Sequence, residues 1–223
     1  MPPSPAAAVM FDMDGLLIDT ERLYRDAFLQ ARAEVGLAPD EHVYLATIGL
    51  RGDLSPPIIE PSLGGKISLG EFNTVWDKHV SDRLAEGIPA KDGALELVEA
   101  LSAQGVPMGV ATSTGTKKAL GKLERTGFLS HLSHVIGGDQ VARPKPDPEI
   151  YLRLAATLGV DPAQCVAFED SNTGTRAAHA SGAFTVQVPD LTSPCEETRA
   201  LGHQIAGSLL EAAAIAGLIP ARR

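Results

Sequence analysis

The pattern that most constrains the fold is a strict alternation of helical and strand-like segments between residues 90 and 188. Amphipathic segments that end at glycine separate four short apolar runs. These runs predict strands at 106–111, 134–136, 165–168 and 184–188. Such alternation is typical of right-handed βαβ units with a parallel sheet covered by helices on both faces. The apolar run at 6–11 (AAAVMF) predicts a further buried strand, so we predict an α/β fold built on a parallel sheet.

Between the first predicted strand and residue 86 the sequence predicts helices and no strand. Apolar residues recur at helical spacing from residue 23 to 35, and a capping box at 68–71 begins a second amphipathic helix. Several prolines make the residues between these helices less regular. We predict an all-helical cap at 19–85, inserted after strand one, and an α/β core formed by 1–18 and 86–223.

The charge balance restricts the partners of the chain. Its 223 residues carry 28 acidic and 19 basic side chains, a formal net charge of −9, which disfavours nucleic acid and anionic membranes. No stretch approaches the roughly 20 apolar residues of a membrane span, and the N-terminus does not resemble a signal sequence. Cys165 and Cys195 are too few for a disulfide framework. We expect a cytoplasmic protein, monomeric or weakly dimeric, whose partner is a small phosphorylated metabolite.

Polar residues follow four of the predicted strands. Ligands of open parallel sheets bind beyond the carboxyl ends of the strands, so we expect these residues to form one site. They are Asp12 and Asp14, then Thr112 and Ser113, then Lys145, and finally Glu169 and Asp170. Each of these short motifs is common without a function. Their occurrence at successive strand ends is what favours a catalytic site.

The residue types at these strand ends favour phosphoryl transfer. Several carboxylates at one edge repel each other unless a cation lies among them, and hard oxygen ligands favour Mg²⁺. Hydroxyl groups and a lysine suit the dianionic phosphoryl group, whose transfer needs a nucleophile and a proton donor. Asp12 can be the nucleophile, since carboxylates form acyl phosphates. Asp14 lies past the strand end, where it can curl back as general acid and base.

Four segments resemble, in order, the signatures of the haloacid dehalogenase superfamily of phosphotransferases. They are 12–21 (DMDGLLIDTE), 110–113 (VATS), 143–146 (RPKP) and 168–174 (FEDSNTG), and the match spans residues 9–189. The resemblance implies a Rossmann-like parallel-sheet core. The position of the helical insertion resembles the small cap of the subgroup that contains phosphoglycolate phosphatase, pseudouridine-phosphate phosphatases and β-phosphoglucomutase.

The resemblance implies roles for the two aspartates of the first signature. Asp12 attacks phosphorus and binds Mg²⁺. Asp14 protonates the leaving group, activates water and lends its backbone carbonyl to the metal. Asp14 also distinguishes this chain from the true dehalogenases, which use no metal and lack that second aspartate.

The other three signatures imply phosphate and metal contacts. Thr112, with the backbone of Ser113 and the residues after it, binds the phosphoryl oxygens. Lys145 holds nucleophile and phosphate together by its charge. Asp170 is the third protein ligand of Mg²⁺, and Glu169 acts through water.

The predicted cap contains fewer residues that indicate a function. Arg51 is the best basic candidate for a substrate contact, and Lys78 and His79 are others. β-Phosphoglucomutases carry a histidine four residues beyond the threonine that corresponds to Thr20, where this chain has Tyr24.

We predict a Mg²⁺-dependent phosphatase that hydrolyses a small phosphomonoester, such as a sugar phosphate, through an aspartyl-phosphate intermediate. The first alternative is a β-phosphoglucomutase-like phosphomutase. A more remote alternative is a non-enzymatic phosphoacceptor domain of the receiver type. It is disfavoured because the phosphorylated aspartate of a receiver lies in mid-domain and because a receiver has no helical insertion after strand one.

Overall fold

The sheet has the predicted parallel arrangement in the computed structural model, which describes residues 1–220. Six strands lie in the order β3-β2-β1-β4-β5-β6, and every pairing is parallel. The strands are β1 (Ala8–Phe11), β2 (Met108–Thr112), β3 (His134–Gly137), β4 (Cys165–Glu169), β5 (Phe184–Gln187) and β6 (Gln204–Ile205). The α/β prediction is therefore confirmed.

The register of the central strands brings the polar strand ends together. Phe11 of β1 pairs with Val110 of β2 on one side and with Phe168 of β4 on the other. All residues of these three strands are buried, as expected where helices cover both faces of a parallel sheet. Because the three strands end at nearly the same level, the residues that follow them emerge at one edge.

Residues 1–220 contain ten α-helices. The insertion after β1 contains α1 (Thr20–Glu34), α2 (Glu41–Leu45), α3 (Pro56–Ser62) and α4 (Leu69–Glu86). The rest of the chain contains α5 (Ala94–Ala103), α6 (Thr116–Arg125), α7 (Glu149–Leu158), α8 (Asn172–Ala180), α9 (Glu196–Arg199) and α10 (Leu209–Ile215). Within the described residues, the insertion contains helices and no strand, as predicted. No helix of the described chain is long and apolar enough to cross a membrane.

The helical insertion has a hydrophobic cluster of its own. The Phe28 ring lies 5.4 Å from the Phe72 ring and 5.2 Å from the Trp76 ring, each in an edge-to-face arrangement. The insertion joins the rest of the chain at a bridge between Ile18 and Ala90, next to the predicted boundaries. The division into a cap at 19–85 and a core formed by 1–18 and 86–223 stays a prediction.

The C-terminal region differs from the sequence prediction, which placed only alanine-rich helices after residue 188. The short strand β6 precedes α10 and pairs with β5 at the edge of the sheet. Its two residues are exposed, so no apolar run marks the strand in the sequence.

Candidate active site

Asp12, Lys145 and Glu169 form a buried ion cluster at the edge of the sheet. The Lys145 ammonium donates to Asp12 Oδ1 at 2.6 Å, to Glu169 Oε1 at 2.5 Å and to the carbonyl oxygen of Ala111 at 3.0 Å. The lysine side chain is 2% exposed. Burial of an ammonium is costly unless it is paired and hydrogen-bonded, and three acceptors meet that requirement here. No hydrogen bond from residues 1–220 reaches the second carboxylate oxygen of Asp12.

Glu169 and Asp170 are adjacent in sequence but differ in their surroundings. Glu169 Oε1 also accepts from the Tyr151 hydroxyl at 2.7 Å, and Glu169 Oε2 accepts from the Ser171 hydroxyl at 3.2 Å. The Asp170 carboxylate accepts no hydrogen bond within residues 1–220 and lies against Gly15. A Cβ at Gly15 would lie 2.4 Å from Asp170 Oδ2, and φ is +85° there, so both space and backbone conformation require glycine.

The carboxylates of Asp12, Glu169 and Asp170 suit a divalent metal ion. Each offers an oxygen, and these oxygens lie within 4.8 Å of one another. Burial raises the pKa of Asp12 to about 8, an effect that Lys145 opposes and the charge of Glu169 strengthens. Burial also raises the pKa of Asp170 well above its usual range, as do the charges of Asp12 and Glu169. Buried carboxylates that resist ionisation are stabilised by a cation, and oxygen-only donors favour Mg²⁺.

The surroundings of Asp14 shift its pKa in the opposite direction to that of Asp12. Its Oδ1 accepts from Lys122 at 2.6 Å and from Thr20 at 2.5 Å, and its Oδ2 accepts from Thr114 at 2.7 Å. Burial alone would raise the pKa of Asp14, but the charge of Lys122 and these hydrogen bonds hold that pKa below its usual range. Pairs of carboxylates with opposite pKa shifts are typical of acid–base sites.

The two hydroxyl residues at the end of β2 lie at the same edge. Thr112 is buried, and its hydroxyl accepts from the backbone N–H of Thr114 at 3.1 Å. The Ser113 hydroxyl donates to the carbonyl oxygen of Gly49 in the insertion at 3.1 Å. The loop after β2 therefore contacts the insertion directly.

A cavity of about 300 Å³ lies between the insertion and the edge of the sheet, within the size range of small-molecule sites. The sheet side and the insertion both contribute to its lining. The sheet side supplies Asp12, Asp14, Thr112, Ser113 and Asp170, and the insertion supplies Glu21, Tyr24, Tyr44, Thr47 and Trp76. Carboxylates and hydroxyl groups thus line one wall, and aromatic and polar side chains line the other.

Comparison with known proteins identifies the family. The haloacid dehalogenase-like hydrolase family matches residues 9–188. The chain belongs to this family.

Relatives of this haloacid dehalogenase-like hydrolase include proteins named as phosphatases. The chain is 34% identical to a phosphorylated carbohydrates phosphatase of Thermotoga maritima, over 78% of this chain and 81% of that protein. It is 32% identical to a validoxylamine A 7'-phosphate phosphatase of Streptomyces hygroscopicus subsp. limoneus, over 79% and 83% of the two chains. A crystal structure of a HAD family hydrolase from Deinococcus radiodurans, with bound phosphate and sodium, has a TM-score of 0.79. That protein is 29% identical, and the match covers 98% of this chain and 99% of the other.

Three residues of this haloacid dehalogenase-like hydrolase lie in or beside the cavity but were not predicted from the sequence. They are Lys122, Glu21 and Tyr44. The Tyr44 hydroxyl donates to Glu21 Oε2 at 2.5 Å, and burial raises the pKa of Glu21 to about 7. Lys122 lies between Ala119 and Leu123 on the buried face of α6, and a charge on an apolar face is a signal that could have identified it.

The basic candidates in the insertion are not among the residues that line the cavity, although Leu50 and Gly52 on either side of Arg51 are. The Arg51 guanidinium bonds Asp53 at 2.6 Å and donates to the carbonyl oxygens of Gly138 and Val141, each at 3.3 Å. Lys78 and His79 pair with acidic residues elsewhere on the insertion. Arg51 as a substrate contact stays a prediction that this arrangement does not support.

Proposed function

We propose that the chain is a Mg²⁺-dependent phosphatase that hydrolyses a small phosphomonoester, such as a sugar phosphate, through an aspartyl-phosphate intermediate. The observation that carries this proposal is the convergence of Asp12, Asp14 and the hydroxyl of Thr112 on one cavity wall, with Lys145 bonded to Asp12 from behind that wall. Relatives named as phosphatases of phosphorylated carbohydrates and of validoxylamine A 7'-phosphate support the substrate class.

Asp12 is the nucleophile of the proposed reaction. Lys145 fixes Asp12 Oδ1, so the second carboxylate oxygen is free to form the bond to phosphorus. The same ammonium offsets the negative charge of the transferred phosphoryl group. Thr112 and the backbone of Ser113 bind the equatorial oxygens of that group.

Asp14 is the general acid and then the general base. In the first step it gives a proton to the leaving oxygen, and in the second it takes a proton from the attacking water. Its three close donors hold the carboxylate at the cavity wall beside Asp12.

Asp12, Asp170 and the backbone carbonyl of Asp14 would hold Mg²⁺, with Glu169 acting through water. The hydrogen bonds that Glu169 accepts from Lys145 and Tyr151 support the indirect role, and the unbonded carboxylate of Asp170 supports the direct one. When bound, Mg²⁺ neutralises negative charge on the phosphoryl oxygens.

Tyr24 favours hydrolysis over phosphomutase activity. It lines the cavity at the position where β-phosphoglucomutases carry a histidine, and burial raises the pKa of its hydroxyl. Tyrosine cannot relay a proton near neutral pH as readily as histidine. The monomeric or weakly dimeric state and the cytoplasmic location stay predictions.

The test measures phosphate release with Mg²⁺ from a panel of phosphorylated metabolites and from p-nitrophenyl phosphate. A second assay supplies β-glucose 1-phosphate with catalytic glucose 1,6-bisphosphate. We expect net release of inorganic phosphate and no glucose 6-phosphate. Glucose 6-phosphate that accumulates faster than phosphate would establish the mutase, and absence of any turnover would favour the receiver-type alternative.

A further inference from the structure

Lys122 is a buried charged residue to which the reaction described above assigns no role. It lies in α6 on the face that Ala119 and Leu123 turn to the interior, and its side chain is 7% exposed. Helical periodicity assigns an apolar residue to this position. A buried ammonium persists only where partners compensate its lost hydration, so its partners indicate what it does.

The partners of Lys122 are the acid–base residue and a side chain of the insertion. Its ammonium donates to Asp14 Oδ1 at 2.6 Å and lies 4.9 Å from the centre of the Tyr24 ring, a cation–π contact. Within residues 1–220, Lys122 is the one cation that forms an ion pair with Asp14. Each of the two aspartates therefore forms an ion pair with a different lysine, Asp14 with Lys122 and Asp12 with Lys145.

The other donors to Asp14 are hydroxyl groups, and they constrain it less. The hydroxyl groups of Thr20 and Thr114 can rotate and can accept as well as donate, so either can serve a protonated or an ionised carboxyl. An ammonium can only donate. Lys122 therefore fixes Asp14 Oδ1 as an acceptor and sets the direction of the carboxyl group.

We propose that Lys122 is a positioning residue for the second half-reaction, in which it holds the Asp14 carboxylate in place to activate water. In that step the water oxygen forms a bond to phosphorus, the bond between phosphorus and Asp12 breaks, and the water proton passes to Asp14. Tyr24 packs on the ammonium and keeps it directed at Asp14. This proposal rests on the function proposed above.

The test separates the two half-reactions of p-nitrophenyl phosphate turnover. The ratio kcat/KM reports steps up to departure of p-nitrophenolate, which leaves without a proton, whereas kcat includes hydrolysis of the aspartyl phosphate. For Lys122→Met we expect kcat to fall about 10- to 100-fold, with KM falling in parallel and kcat/KM kept within about twofold. A burst of p-nitrophenolate equal to the enzyme concentration should precede the slow steady state.

Matched variants distinguish positioning from a structural role. Lys117→Met removes an exposed charge from the same helix and should leave both constants unchanged. Adding Lys122→Met to Asp14→Asn should lower kcat no further than Asp14→Asn alone, because the two residues act as a unit. Should Lys122→Met fail to fold, Lys122→Gln keeps an N–H donor without the charge and should show the same split with a smaller amplitude.

Two results would overturn the proposal. Unchanged kinetic constants would remove Lys122 from the reaction, and an equal loss of kcat and kcat/KM would assign it to binding or folding. Both outcomes leave the phosphatase function intact. A wild-type enzyme that never forms an aspartyl phosphate would overturn the proposed function and the Lys122 role together.

Discussion

The two walls of the cavity are built in different ways. The sheet wall consists of carboxylates and hydroxyl groups at adjacent strand ends, and the Lys145 and Glu169 side chains behind it are 2% and 0% exposed. The wall formed by the insertion uses aromatic side chains, and the charged pair of Arg51 and Asp53 beside that wall is 26% and 58% exposed. Strand register fixes the first wall, whereas the packing of helices α1, α2 and α4 sets the second. The chemistry can therefore stay constant while the insertion adapts to another substrate.

The largest effect is expected at the centre of the sheet wall. Asp12→Asn should abolish turnover, because an amide cannot form an acyl phosphate. The variant should fold, since asparagine has the size of aspartate and the amide oxygen can still accept from Lys145. Phosphate release and circular dichroism are the measurements. Activity above a few per cent of wild type would remove Asp12 from the nucleophile role.

That centre is also the part most readily predicted from the sequence. Asp12, Thr112 and Glu169 each end or follow a strand, and parallel strands place such ends side by side. Lys122 was not predictable in this way, since it reaches Asp14 from the second turn of α6. Arg51 was predicted as a substrate contact from its charge and its place in the cap, and its orientation depends on contacts with the carbonyl oxygens of Gly138 and Val141 that the sequence does not reveal.

The second prediction compares Asp170 with Glu169 on the sheet wall. Asp170→Ala should raise the Mg²⁺ concentration needed for activity by about 100-fold or more, because loss of an indirect partner alone costs about 10- to 100-fold. Glu169→Ala should raise it less and should lower the melting temperature more, because Lys145 and Tyr151 lose a buried acceptor. Metal titrations and thermal melts of both variants measure this. A reversed order of metal requirement would make Glu169 the direct ligand.

The third prediction addresses the contact between the walls. A Cβ at Gly49, where φ is +77°, would lie 2.3 Å from Thr173 Oγ1 and 2.7 Å from Ser171 Oγ. Gly49→Ala should therefore hold the insertion away from the sheet edge and raise KM about tenfold, since closure excludes water from such sites.

Gly36→Ala is the control for Gly49→Ala. Gly36 has a similar φ of +71° and no atom within 4 Å of its would-be Cβ. Both variants should lose about 1 kcal/mol from backbone strain, but only Gly49→Ala should change KM. An equal KM in both would show that this contact does not govern closure.

The fourth prediction is a pH effect on the insertion wall. Burial raises the pKa of Glu21 to about 7, from 4.5. Between these values the folded protein binds more protons than the unfolded chain, so its stability falls as pH rises. Glu21→Gln removes this loss and keeps an acceptor for Tyr44. Relative to wild type, its melting temperature should be about 5–10 °C higher at pH 8 than at pH 5, measured with a chelator. A difference independent of pH would mean that Glu21 titrates normally.

The smallest effect is expected at Arg51. Its guanidinium already pairs with Asp53, and its two bonds to the carbonyl oxygens of Gly138 and Val141 are long, at 3.3 Å. Exposed pairs of this kind contribute little, so Arg51→Ala should change KM for a small phosphomonoester by less than about fivefold. Asp53→Asn tests the reason: if Asp53 is what keeps Arg51 from the substrate, this variant should lower KM for substrates with a second anionic group. A rise in KM of more than tenfold in Arg51→Ala would instead make Arg51 a substrate contact. The insertion wall would then carry a charge for recognition, and the difference between the walls would be one of exposure only.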